Sequence, residues 1–196
     1  MARRAQIQRK TKETDIRCDL VIDGTGTADV ASGNGFMDHM LTLVASHGRF
    51  DLTVACKGDT DVDFHHSAED IGICIGQAIH EALGDHRGIV RFGTFYVPMD
   101  ESLARVCLDI SGRPNLVYNV PLQGTHVNDF ECDLVHDFFK ALSDHAKITI
   151  HVDLLRGRNS HHSLEAVFKA FSRSLACACA LNPNALSEIP SSKGML

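Results

Sequence analysis

His65-His66-Ser67-Ala68-Glu69 and His161-His162-Ser163-Leu164-Glu165 are one five-residue pattern written twice in a single chain. Each copy follows a short polar turn, residues 61–63 for the first and 157–159 for the second. Each leads into apolar residues at helical spacing: Ile71, Ile75, Ala78, Ile79 and Ala82 after one copy, Val167, Phe168, Phe171 and Leu175 after the other. Upstream, residues 39–47 align with residues 137–145 without a gap. Alternating, strand-like runs follow at residues 50–54 and 148–152. Earlier still, residues 18–24 resemble residues 106–112, both alternating and both closed by a glycine turn. The repeat predicts that each half runs strand, turn, strand, helix, strand, helix. The predicted boundary lies near Arg91 to Gly93, giving a first half at residues 1–92 and a second at residues 93–196 with a C-terminal tail. No linker or charge block separates the halves, so a single body is expected. The fold class is α+β, internally duplicated, with the two halves packed through their helices.

Apolar residues make up 44% of the 196 positions and charged residues 22%, enough for a packed core and too apolar for a disordered protein. The net charge of -6 gives no global attraction to nucleic acid or to an anionic membrane. No apolar run is long enough to span a bilayer. Residues 1–12 are basic and polar, with no apolar stretch behind them to make a secretory signal. Seven cysteines, none in a Cys-x-x-Cys pair, read as reduced thiols of a cytoplasmic protein. Six of them sit in apolar runs, and Cys132 stands apart in a mixed stretch. Asn182-Pro183 is expected to end the last helix. The tail beyond it, with Pro190-Ser191-Ser192-Lys193-Gly194, has turn chemistry and no periodicity.

Histidine is the unusual count, at 12. His65 and Glu69 are four residues apart and His66 and Glu69 three, so either pair shares a helical face. Adjacent histidines on a helix point roughly 100° apart, because a turn takes about 3.6 residues. One ion cannot easily take both, so His65 and His66 are expected to serve different ions, as are His161 and His162. A solvated helix start with a glutamate in its first turn would give the same local pattern. The matched duplication, together with His39, argues for metal. Imidazole and carboxylate without thiolate suit Mn, Fe, Co, Ni or Zn, and this donor set does not choose among them.

Further strings extend the pattern over nearly the whole sequence. They are Phe36-Met37-Asp38-His39-Met40, Arg91-Phe92-Gly93, Pro98-Met99-Asp100-Glu101, Asp109-Ile110-Ser111-Gly112-Arg113-Pro114, Gly157-Arg158-Asn159-Ser160 and Phe168-Lys169-Ala170-Phe171. On these motifs the protein resembles the imidazoleglycerol-phosphate dehydratase family of histidine biosynthesis. The resemblance implies a hydro-lyase that converts D-erythro-imidazole glycerol phosphate to imidazole acetol phosphate through a metal-stabilised imidazolate. It implies two divalent ions per active site, with Mn the expected cofactor. It also implies a large homo-oligomer of about 24 subunits built from trimers, with sites between protomers. The implied ligands are His39, His65, His66, Glu69, Asp137, His161, His162 and Glu165. Some members have histidine directly before Phe-Phe where this sequence has Asp137. That leaves Asp137 and His136 both open, with the internal alignment favouring Asp137. The implied substrate contacts are Glu13, His47, Arg91, Arg113, Lys169, Ser191, Ser192 and Lys193. Glu13 is the candidate acid/base, with Glu69 and Glu165 as further carboxylates at the reaction centre. Read from the residues alone, Glu13 and the cations would be solvated surface groups. A metal-storage protein, a dinuclear hydrolase and a metal-glued structural oligomer are the rival readings.

Overall fold

A computed structural model describes residues 3–196 of the protein. The first half runs β1 (Arg4–Lys10), β2 (Thr14–Val21), β3 (Ala28–Ala31), α1 (Gly35–Gly48), β4 (Asp51–Gly58) and α2 (His65–Leu83). The second half opens with β5 (Phe92–Met99), β6 (Ser102–Asp109) and β7 (Asn115–Asn119). A small hairpin follows, β8 (His126–Val127) with β9 (Phe130–Glu131), before α3 (Leu134–Ala146), β10 (Thr149–Arg156) and α4 (Ser160–Cys179).

The two four-stranded sheets share one topology, β1-β2-β4-β3 and β5-β6-β10-β7. In each, the last pair is parallel and the others antiparallel. Cys18 faces Val54 in one sheet and Val106 faces Val152 in the other, so the segments that resemble each other hold equivalent places. The ends of α1 and α3 repeat the same device. Arg49 (φ 59°) and Lys147 (φ 56°) turn left-handed and return their N–H groups to the carbonyls of Ala45 and Ser143. The duplicated α+β architecture expected from the repeat is therefore the architecture found.

Two details differ from expectation. Each sheet gains three strands, not two, before the first helix of its half. The N-terminal run offers only Ala5 and Ile7 as inward residues between Arg4, Gln6 and Gln8, too faint an alternation to read as a strand. Pairing with β2 along its whole length makes it one. The last helix ends at Cys179 and not at Asn182-Pro183. Ala180 is extended, its carbonyl accepts the Val90 N–H at 2.8 Å, and Leu181 bridges to Ile89. This long-range pairing outcompetes further helix.

Helix packing crosses the halves. On one side α2 covers β1, β2 and β4, and on the other it meets α3; α4 covers β5, β6 and β10 and meets α1. Gly72 and Gly76 lie one turn apart on α2 and let α3 approach: an added Cβ would stand 2.5 Å from the Phe138 carbonyl and 2.6 Å from that of Leu142. Phe138, Phe139, Phe168 and Phe171 are fully buried, with Phe139 edge-on to Phe171 at 5.0 Å between centroids. All seven cysteines are free. Cys132, which the sequence set apart, is buried like the core thiols. Among the described residues no helix is long and apolar enough to cross a membrane.

Candidate metal centre and anion pocket

The α1–α4 contact brings His39 to His161 and Glu165, whose ligand atoms all lie within 4.8 Å of one another. Glu165 Oε2 stands 3.2 Å from His161 Nε2 and 3.6 Å from His39 Nε2. The local fold explains the placement. Asn159 caps α4, its Oδ1 accepting the His161 and His162 N–H groups, and the Phe36 ring meets the His161 ring edge-on at 5.3 Å. Glu165 is buried, which by itself would raise its carboxyl. The Lys169 ammonium, 2.6 Å from Oε1, and then His39 outweigh burial and hold it below the usual range. His47, in the last turn of α1, is shifted down by burial and then by Lys169 and Arg173.

The α2–α3 contact makes the counterpart. His65 Nε2 lies 3.8 Å from Glu69 Oε2, and His65 Nδ1 lies 3.6 Å from Asp137 Oδ2. His136 turns elsewhere, stacking its edge on Tyr118 and meeting Asp137 Oδ1 through Nδ1 at 3.1 Å. Asp137 thus reaches toward His65, while His136 packs on Tyr118.

Ligands held at ~2.1 Å from one ion stand no more than about twice that distance apart. The separations of Glu165 from His39 and from His161 meet this limit, and nitrogen and oxygen donors without thiolate fit a borderline-hard divalent ion. The two nitrogens of the His65 ring diverge, so closing the second cluster on one ion takes a rotation of His65 or Asp137.

The other histidine of each pair points away. His65 and His66 rings are 87° apart in plane, and His161 and His162 rings 84°. His66 Nδ1 sits 3.1 Å from Asp59 Oδ2, and His162 Nδ1 sits 2.9 Å from Glu101 Oε2. These carboxylates raise both imidazoles above the ordinary value, and the His162 contact holds the Glu101 carboxyl down at about 2. A carboxylate on Nδ1 fixes the ring and leaves Nε2 free to ligate. Asp59 and Glu101 were not singled out from the sequence. They come from the β4–α2 loop and the β5–β6 turn, positions the repeat does not relate.

A separate cavity of about 550 Å³ is lined by Arg91, Ser111, Gly112, Arg113 and the tail residues Ser191, Ser192 and Lys193. Arg91 (φ 78°) forks onto Asp109 at 2.7 and 3.2 Å and donates to the Pro190 carbonyl at 2.8 Å. It therefore anchors the tail at the cavity. Arg113 is exposed, with its guanidinium 3.9 Å from Asp109. Lys169 does not line this cavity but stays with Glu165. Glu13 lies elsewhere again, on the β1–β2 turn beside Asp59. Within the single chain the expected site residues thus gather in several places and not in one pocket.

A sequence profile of the imidazoleglycerol-phosphate dehydratase family matches residues 32–175. An imidazoleglycerol-phosphate dehydratase of Heliobacterium modesticaldum is 52% identical over 194 residues, covering 99% of this protein and all of that one. One of Ralstonia pickettii is 50% identical over 196 residues, covering both in full. The crystal structure of the Staphylococcus aureus enzyme superposes with a TM-score of 0.83 at 43% identity, over 91% of this protein and 99% of that one. A Pyrococcus furiosus structure gives 0.81 at 32% identity, over 97% and 100%.

Proposed function

Because the chain belongs to the imidazoleglycerol-phosphate dehydratase family, hydro-lyases of histidine biosynthesis, we propose that it removes water from D-erythro-imidazole glycerol phosphate to give imidazole acetol phosphate, with two Mn ions as cofactors. The observation that carries the metal dependence is the meeting of His39 with His161 and Glu165, mirrored by Asp137 with His65 and Glu69. His39, His161 and Glu165 would hold one ion and His65, Glu69 and Asp137 the other. Bound there, the ions would supply Lewis acidity toward the imidazole of the substrate, the chemistry that a metal-stabilised imidazolate requires.

The protein's own groups do the rest. Arg91 and Arg113 present guanidinium forks, and Ser191, Ser192 and Lys193 add donors, a set that suits a phosphate monoester. Lys169 is the further cation of the phosphate set, although in this structure it is held by Glu165 and not at the cavity, and His47, near Glu165, would be a further substrate contact. Glu13, exposed on its turn, is the carboxylate that takes the proton from the second side-chain carbon of the substrate and returns a proton to the hydroxyl leaving the carbon next to the imidazole, and the enol so formed tautomerises to the ketone.

His162 stands outside the group of His39, His161 and Glu165, His66 and His162 are each held through Nδ1 by Asp59 and Glu101, and the cavity lined by Arg91 and Arg113 is a separate place. This supports a site completed by neighbouring copies, in a closed homo-oligomer of about 24 subunits assembled from trimers. The test is turnover of imidazole glycerol phosphate by protein stripped with chelator and refilled with Mn. Activity lost on stripping and restored by Mn is the expected result. Mn uptake without any turnover would move the protein to a metal-binding, non-catalytic role. Hydrolysis of the phosphate ester instead would make it a dinuclear hydrolase.

A further inference from the structure

Glu13 sits on an exposed turn, and an acid/base group must be held to a fraction of an ångström. The structure shows how the turn is fixed. Thr11 Oγ1 accepts the N–H groups of Glu13 and Thr14, each at 3.0 Å, and the Thr11 N–H donates to the Thr14 carbonyl at 2.9 Å. The Glu13 carbonyl accepts the Asp59 N–H at 3.0 Å. Both backbone groups of Glu13 are therefore occupied.

The turn is then tied to α2 at one buried point. Thr14 is 3% exposed and Asp70 is 7% exposed. The Thr14 hydroxyl donates to Asp70 Oδ2 at 2.5 Å. Arg9 Nε lies 2.9 Å from the other oxygen, Oδ1, although its N–H is not aligned on it. A hydroxyl bond to a carboxylate, shielded from water, is among the stronger polar contacts a protein makes. Asp70 directly follows Glu69 on α2, so the tether ends one residue from a candidate metal ligand. Asp70 is turned into the protein, and its two oxygens are taken up by Thr14 and Arg9, both from the hairpin that carries Glu13.

We propose that Thr14 and Asp70 are positioning residues that lock the Glu13 turn onto the helix carrying His65, His66 and Glu69. The proposal rests on the reading of Glu13 as the acid/base. It assigns one rigid element to both the proton-moving group and the metal ligands, so that their spacing survives motion of the exposed hairpin.

The test compares Thr14→Val, which keeps shape and removes the hydroxyl, with Thr14→Ser, which keeps the hydroxyl, in Mn-loaded full-length enzyme. Misplacing a catalytic group by about 1 Å can cost up to ~100-fold in rate. The expected result is a kcat lower by about tenfold or more in Thr14→Val, with KM, Mn content and particle size unchanged and with Thr14→Ser close to the parent. Thr14→Ala is the second variant if the valine form does not assemble, and it should show the same kcat loss. A merely structural role would lower thermal stability and leave kcat per folded enzyme unchanged. Parent-like kcat without the hydroxyl, or a serine form as impaired as valine, overturns the proposal. A Glu13→Gln enzyme with parent-like turnover overturns the acid/base reading and the proposal with it. An inactive Glu13→Gln enzyme beside an unaffected Thr14→Val enzyme overturns the tether alone.

Discussion

Replacing Gly72 by alanine sets two effects of opposite sign against each other. Alanine is the better helix former by about 1 kcal/mol, so on propensity alone the change stabilises α2. In the folded protein the new Cβ would lie 2.5 Å from the Phe138 carbonyl oxygen and 3.1 Å from the Ala141 Cβ. Comfortable contact needs about 3.5 Å, so α3 must withdraw by close to 1 Å. The obstacle is backbone, not the end of a flexible side chain, which puts the cost near the upper end for an overpacked core, about 3 kcal/mol. The net is a loss of about 2 kcal/mol, and for a protein of this size a fall in Tm of roughly 4–8 °C. The same displacement carries Asp137, the residue before Phe138, away from His65, from which it now stands 3.6 Å. Thermal melts of stripped protein and Mn titration of the same variant check both consequences. Weakened Mn binding should be confined to the His65 cluster, because His39 and Glu165 meet through α1 and α4. A higher Tm with unchanged Mn binding would refute the close-packing argument.

Glu101→Gln should free the His162 ring, lowering Mn affinity by about 10–100-fold and returning the His162 titration toward its ordinary value, read by metal titration and by NMR. Mn binding should weaken with acid, beginning above the ~6.5 of a free imidazole, because Asp59 and Glu101 raise His66 and His162 and protons compete with metal for Nε2. The sign reverses for the stripped protein: those two raised histidines favour its fold below ~6.5 and lose that contribution as pH rises through their folded values, so stripped and loaded melts should diverge with rising pH. Arg91→Lys cannot fork onto Asp109 while holding the Pro190 carbonyl, so KM for the phosphorylated substrate should rise roughly tenfold or more in steady-state kinetics.

How much of this was legible depended on whether a feature is written in one segment or made between two. The duplicated His-His-Ser-x-Glu pattern carries its own spacing, so the helices, the pairing of halves and the divergence of neighbouring imidazoles could all be read from the residues. Asp137 could be placed opposite His39 because α1 and α3 align without a gap. β1 was missed because two inward residues do not make a pattern until β2 supplies a partner. The end of α4 was misplaced because Ala180 and Leu181 are drawn away, Ala180 by its bond to the Val90 N–H and Leu181 by bridging to Ile89, both far off in sequence. Gly72 and Gly76 give no periodic signal, and their role appears only when α3 lies against them. Asp59 and Glu101 do the same work in the two halves from unrelated positions, so no internal alignment could find them. From the residues alone Ser191 to Lys193 form a tail without periodicity; what ties it to the cavity is a bond between distant segments, from Arg91 to the Pro190 carbonyl.

The most direct test of the account is the number of Mn ions bound per protomer. Protein stripped with chelator should take up two Mn per protomer on titration, and His39→Ala and Asp137→Ala should each take up one. A parent protein that binds a single ion, or either variant losing both, would contradict the claim that the duplication builds two separate metal sites.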